Sequence, residues 1–400
     1  MKSPKAISLF FATAGLIALG ASGHAQAPGE AQPPRGPLAP DTSVAKGYND
    51  AARALADVDD NPVIDWAYSI WCVNGYGSIG PNDNPDTLPP AEVESGEFTD
   101  YMSPRGFSYT RFARPMPAAG AKFLDNAWYF GTDHTGAIVV QTDDGLILYD
   151  ALTTVEDAET QLIAPMLAAG LDPADIKYIF MGHGHGDHMG GANLIRERYA
   201  PDVKFVMGQP DAAGVAARRA QVLNGSAPTR PGEEPRQLTE EEQASMLQVL
   251  PDPVDIQIPA ASDTPWGAQR IQMGNTEIMA ILQPGHTVGQ MSIIVPVTYK
   301  GQQHKMLLWS GNDSPQNAAL YGASADWVKA IAYMEGADVF ANSHAYQGAT
   351  FYHIRRQAAD PNYNNPMVMG VDGLQRYLGI FSNCQRAWVE RSKSGTWERF

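Results

Sequence analysis

Cysteine is nearly absent from this 400-residue chain: Cys72 and Cys384 are its only two. Neither lies near the histidine-rich segment described below, which argues against thiolate metal ligands. In an exported chain the pair reads either as a disulfide joining an N-terminal segment to a C-terminal helix or as two separate buried thiols. Basic residues are also scarce, with 28 Lys and Arg against 44 Asp and Glu. Such a surface repels nucleic acid and anionic membranes and speaks against a nucleic-acid partner. Long apolar runs are missing too. The longest, from Ala6 to about Ala21, falls short of the ~20 residues that a membrane span needs. Lys2 and Lys5 precede it and Ala25-Gln26-Ala27 follows it. That is the order of a secretory signal over residues 1–25, with an uncleaved anchor as the alternative. Its removal leaves 26 basic against 44 acidic residues, a net charge of −18. The expectation is a periplasmic or secreted protein with no stable membrane association after cleavage.

What is present in quantity is glycine and proline, 38 and 30 residues, which promises a loop-rich fold. The length suits one large domain or two modest ones. Residues 26–45 read as a Pro- and Ala-rich flexible leader, and the stretch up to 104 as an N-terminal extension that packs on a main domain at 105–400. Within that domain short β-branched or aromatic runs at Asn126–Gly131, Thr135–Gln141 and Gly145–Asp150 predict strands separated by turns. A helix near Val155–Ala169, stopped by Gly170, leads to a buried-type strand at Ile176–Met181. Helix, strand and helix follow to Gln221, then a polar insertion at 222–250, read as a solvated insertion or a rim loop. A second strand-rich half runs from Ile271 to Ser310. It is followed by a helix near Ala325–Glu335, a strand near Val339–Ala341 and a long terminal helix near Val371–Glu390. Two halves of strands followed by helices predict an α/β fold of two sheets packed face to face with helices outside, an αββα sandwich.

The chemistry sits in Met181-Gly182-His183-Gly184-His185-Gly186-Asp187-His188-Met189-Gly190-Gly191. Three imidazoles and a carboxylate fall within six positions, and both residue types suit zinc. A regular helix or strand would scatter them, whereas a glycine-laced loop can turn all four inward. Two further histidines stand just past predicted strands: His286 in Gln283-Pro284-Gly285-His286-Thr287, and His344 in Ala341-Asn342-Ser343-His344. Strand ends are where loops assemble a site on a rigid scaffold. His134 lies between two strands at the rim of such a site, His304 and His353 have no motif around them, and His24 goes with the signal.

This set resembles the metallo-β-lactamase superfamily, whose hallmark is a His-x-His-x-Asp-His loop after a strand. Asn126–Gly131, Ala137–Val140 and Gly145–Asp150 are similar to its opening strands. The surroundings of His286, Asn365-Pro366 and the helix containing Tyr377 resemble the third-subclass (B3-like) enzymes, over residues 105–392. The resemblance implies two Zn²⁺, one held by His183, His185 and His286, the other by Asp187, His188 and His344. It also implies a metal-bridging hydroxide as nucleophile, oriented by Asp187 as the catalytic carboxylate, and Asp150 bracing the metal loop from behind. A helix N-cap is the alternative role for Asp150.

The resemblance departs at Gly311-Asn312-Asp313-Ser314. Many ester, lactone and thioester hydrolases of the superfamily place a metal-bridging Asp directly after the Gly, and here one residue intervenes. Third-subclass β-lactamases have a substrate-binding Ser in this neighbourhood. Asp313 as a bridge points to a lactone or ester hydrolase; Ser314 facing the pocket points to a β-lactam or similar cyclic amide. An iron-dependent dioxygenase of the same fold and a non-catalytic metal-binding protein are the readings of a different class. The expected partner is a small-molecule substrate, and no feature specifies an oligomeric state.

Overall fold

The structure is a computed structural model, which describes residues 42–68, 71–72, 116–132, 135–228, 236–311, 317–345 and 350–393. The signal segment and nearly all of the leader lie outside these residues. Helix Ser43–Ala56, capped by the Thr42 side chain, begins inside the stretch read as leader, so 43–45 are helical rather than flexible. Among the described residues no helix is long and apolar enough to cross a membrane.

Two mixed sheets face each other. The first has seven strands in the order β1 (Ala121–Leu124), β2 (Ala127–Gly131), β3 (Gly136–Thr142), β4 (Gly145–Tyr149), β5 (Ile176–Phe180), β6 (Lys204–Gly208) and β7 (Ile256–Ile258). β1 to β4 are antiparallel neighbours, and β4 to β7 pair in parallel. The second sheet runs β12 (Val339–Asn342), β11 (Gln302–Trp309), β10 (Met291–Tyr299), β9 (Thr276–Leu282) and β8 (Gly267–Met273). Only β11 and β12 pair in parallel there.

The period-two alternation of a strand divides the first sheet's side chains between two cores. Ile138, Val140, Ile147, Tyr149 and Phe180 join the core between the sheets. Ala137, Val139, Leu146, Leu148 and Ile179 join the other, beneath helices Ala192–Arg198 and Gln209–Leu223. Such strands need apolar residues on both faces, which is why they read as continuous runs. Helices Ala318–Glu335 and Gly370–Lys393 pack on each other, and helix Ser43–Ala56 packs on the latter. Cys72 and Cys384 form a disulfide, so the bridge, not the pair of free thiols, is correct. Around it Trp388 Nε1 donates to the carbonyl of Trp71 at 2.9 Å.

The 222–250 insertion is integrated rather than loose in its described parts. Its helix Glu240–Val249 has a capping box made by Thr239 and Glu242. Asn193 Nδ2 donates to the carbonyls of Leu247, Gln248 and Leu250, which ties this helix to the outer layer. Strand β1 and helix Thr350–Ala359 were not anticipated from the sequence.

Candidate metal centre

Chain direction collects the site. Asp150 follows β4, the histidine loop follows β5 and Asp211 follows β6, all at one edge of parallel strands. His286 follows β9, Ser310 follows β11 and His344 follows β12 at the matching edge of the other sheet. The edges are joined there: Met291 N–H donates to the Gly182 carbonyl at 2.7 Å, and Tyr129 Oη donates to that of Ser343 at 2.7 Å. Glycine at 182 is required by contact, because a Cβ would stand 2.2 Å from Ser310 Cβ.

The six candidate ligands converge. His185 Nδ1 lies 3.0 Å from His183 Nε2 and 3.0 Å from His286 Nε2. His188 Nε2 lies 3.1 Å from His344 Nε2 and 3.4 Å from Asp187 Oδ2, which is itself 3.7 Å from His344 Nε2. Zinc with bonds of about 2.0–2.1 Å in tetrahedral geometry separates its ligand atoms by about 3.3 Å. Spacings of 3.0–3.7 Å in an imidazole and carboxylate donor set therefore fit such an ion. The ligand atoms of His183, His185 and His286 all lie within 4.8 Å of one another, as do those of His183, Asp187 and His188, and each group can hold a metal.

Groups behind the imidazoles fix which nitrogen faces inward. His188 Nδ1 is 2.7 Å from Asp150 Oδ2, while Asp150 Oδ1 accepts the Gly182 N–H at 2.6 Å. Asp150 reaches both from a left-handed backbone, φ 63°, a costly conformation for a non-glycine residue. The N-cap of the following helix is Thr154, not Asp150. Ser310 Oγ sits 3.0 Å from His183 Nδ1 and 3.3 Å from His188 Nδ1. Gln290 Oε1 accepts the His286 N–H at 3.0 Å, and Asn342 Oδ1 accepts that of His344 at 2.8 Å. Asp211, at the start of helix Gln209–Leu223, accepts from Gly184 N, Thr287 Oγ1 and Gly289 N. Ser310, Gln290 and Asp211 were not singled out in the sequence. Each sits at or just beyond a strand end, the one signal they share with the ligands.

Burial lowers the basicity of most of the cluster. It pushes His185 down to about 4, and holds His183 and His286 well below the usual histidine range, helped by the neighbouring imidazoles. These three are neutral at pH 7, the form that binds a metal. His188 goes the other way: burial opposes its charge, but Asp187 and Asp150 outweigh it and raise it to about 10. Asp187 is held well below the carboxylate range, its burial outweighed by His188.

Among the described residues, the two histidines outside the cluster have other partners. His304 Nδ1 pairs with Asp338 at 2.6 Å, and His353 Nδ1 with Tyr363 Oη at 2.7 Å. His24, His134, Asp313 and Ser314 lie outside the described residues.

Residues 131–298 match the family model described as the metallo-beta-lactamase superfamily. A solved metallo-beta-lactamase of Cronobacter sakazakii with a HARLDQ motif is similar at 20% identity and TM-score 0.51, over 72% of this chain and 98% of that one. Native FEZ-1 metallo-beta-lactamase from Legionella gormanii matches at 20% identity, TM-score 0.49, over 70% and 97%. The subclass B3 enzyme MEM-A1, from a soil metagenome library, matches at 19%, TM-score 0.46, over 70% and 94%. At 20% identity the first of these shows a likeness of fold. The family match spans residues 131–298, which include five of the six candidate ligands, and that stretch carries a metallo-beta-lactamase superfamily domain.

Proposed function

We propose that this protein is a zinc-dependent hydrolase of the periplasm or extracellular space that opens a cyclic amide of the β-lactam type. Residues 1–25 act as its signal, 26–104 as leader and extension, and 105–400 as the catalytic domain. The observation that carries the reading is the convergence of five imidazoles and one carboxylate at 3.0–3.7 Å. His183, His185 and His286 would hold one zinc, and Asp187, His188 and His344 the other. Two zinc ions, when bound, would supply a water acidic enough to serve as nucleophile at neutral pH and a Lewis acid for the scissile carbonyl. The protein's part is positional. Asp150 and Ser310 fix the imidazole orientations from behind, the arrangement that tunes metal sites generally. Asp187 is the cluster's acidic group, its side chain 20% exposed. It would orient the attacking water and relay its proton.

The test is metal analysis of the mature protein followed by nitrocefin hydrolysis, with Asp187→Ala as control. We expect two zinc per chain and a fall of about 10²–10⁴-fold in the variant, the usual weight of a proton-transfer group. A chain that purifies without metal, or wild-type turnover no better than the variant, overturns the β-lactam reading. Turnover of lactones or esters instead, lost in Asp313→Ala, would establish the lactone or ester hydrolase.

A further inference from the structure

Helix Gln209–Leu223 contributes no ligand, yet it grips the metal loop at both ends of one peptide unit. Asp211 Oδ2 accepts the Gly184 N–H at 2.7 Å, and Arg218 donates to the Gly184 carbonyl. The two side chains are seven residues apart, two helical turns, and so share a face. The same carboxylate holds the other ligand loop: Oδ2 accepts from Thr287 Oγ1 at 2.6 Å and Oδ1 from Gly289 N–H at 2.9 Å. The fit is tight. A Cβ on Gly289 would stand 2.3 Å from Asp211 N, and one on Gly184 would stand 3.2 Å from Asp211 Cβ. Asp211 is 5% exposed and its direct partners are all neutral. Burying a carboxylate is costly, and besides these three bonds the neighbouring Arg218 charge also favours its ionised form.

We infer that Asp211 and Arg218 form a clamp that sets the spacing of His183, His185 and His286, making them positioning residues for one of the two metals. Gly184 lies between the first two ligands, while Thr287 and Gly289 flank the loop of the third. The clamp touches neither His188 nor His344, so its loss weakens one metal and spares the other. This inference rests on the two-metal reading proposed above.

Asp211→Asn is the discriminating variant. Its amide places a donor against Gly184 N–H and Thr287 or against Gly289 N–H, with little change of volume. Zinc stoichiometry and affinity are measured by chelator competition, and the d–d spectrum of the cobalt(II)-loaded protein reports ligand geometry. Loss of a group supporting metal ligands typically lowers affinity 10–100-fold. We expect about that loss for one equivalent only, with a changed cobalt band, and no change in Thr287→Ser, which keeps the hydroxyl. If Asp211→Asn does not fold, Arg218→Gln and Thr287→Val, each removing one bond, are expected to weaken the same single equivalent. Two wild-type affinities in the variants, or equal weakening of both equivalents, overturn the clamp and leave the hydrolase reading intact. A wild-type protein with no tightly bound metal overturns that reading first.

Discussion

The described histidines differ in behaviour, and their neighbours decide how. In the cluster, burial keeps three imidazoles neutral while two carboxylates hold His188 charged in the metal-free chain. His304 is tied to Asp338 at the surface end of β11. His353 is buried on helix Thr350–Ala359, with Nδ1 on Tyr363, and burial followed by the Arg356 charge pushes it down to about 3. Its proton binds more readily in the unfolded chain, where the ordinary value is near 6.5. The stability it contributes is therefore complete above about pH 6.5 and is lost as pH falls towards 3, at about 1.4 kcal/mol per pH unit for one proton. His353→Gln should reduce the slope of unfolding free energy against pH by that amount between pH 6 and 4. Parallel urea-melt profiles for the two proteins would refute it.

At the scale of elements, helix Gly370–Lys393 is a hub whose contacts depend on small residues. Helix Ala318–Glu335 approaches it at Gly322, where a Cβ would lie 3.2 Å from Gln385 Cβ and 3.3 Å from the Ser382 carbonyl. On another side Gly379 faces Leu55 of helix Ser43–Ala56, a Cβ there standing 2.9 Å from Leu55 Cδ1. Gly322→Leu forces a packed helix pair apart and should cost about 1–3 kcal/mol, read as a lower denaturation midpoint. An unchanged midpoint would mean the helices can separate freely. Gly336, with φ 68°, ends helix Ala318–Glu335 in the left-handed conformation and returns the chain to β12. The stop glycine therefore also delivers His344.

At the scale of the whole molecule, one covalent bond joins residues 312 positions apart. Cys72 lies in the N-terminal extension and Cys384 in the hub helix, so the bond fastens the extension to the second sheet's outer layer. A loop of that length restricts the unfolded chain strongly, and its removal should cost about 2–5 kcal/mol. Cys384→Ala is expected to melt well below the oxidised wild type and to lose the dependence of melting on reductant. Equal melting temperatures with and without dithiothreitol would overturn this. The bond also suits the exported location proposed from the N-terminal segment.

The local pattern of residues determined most of the elements and the candidate ligand types. Continuous apolar runs marked the buried strands, the glycine-laced His-x-His-x-Asp-His loop marked a candidate metal site, and His286 and His344 stood out because each follows a strand. β1 escaped because four residues with one exposed lysine carry too short a pattern. Asp211 escaped because an acid in a helix's first turn is ordinary there. Only the tertiary structure brought loops from β5, β9 and β12 to one point, chose Nδ1 of His185 and Nε2 of His183, His188, His286 and His344 as the inward atoms, and closed the disulfide. The reason is range. Strand and turn preferences are written within a few residues, whereas a metal site is a set of distances between segments over a hundred residues apart, fixed by how the two sheets pack.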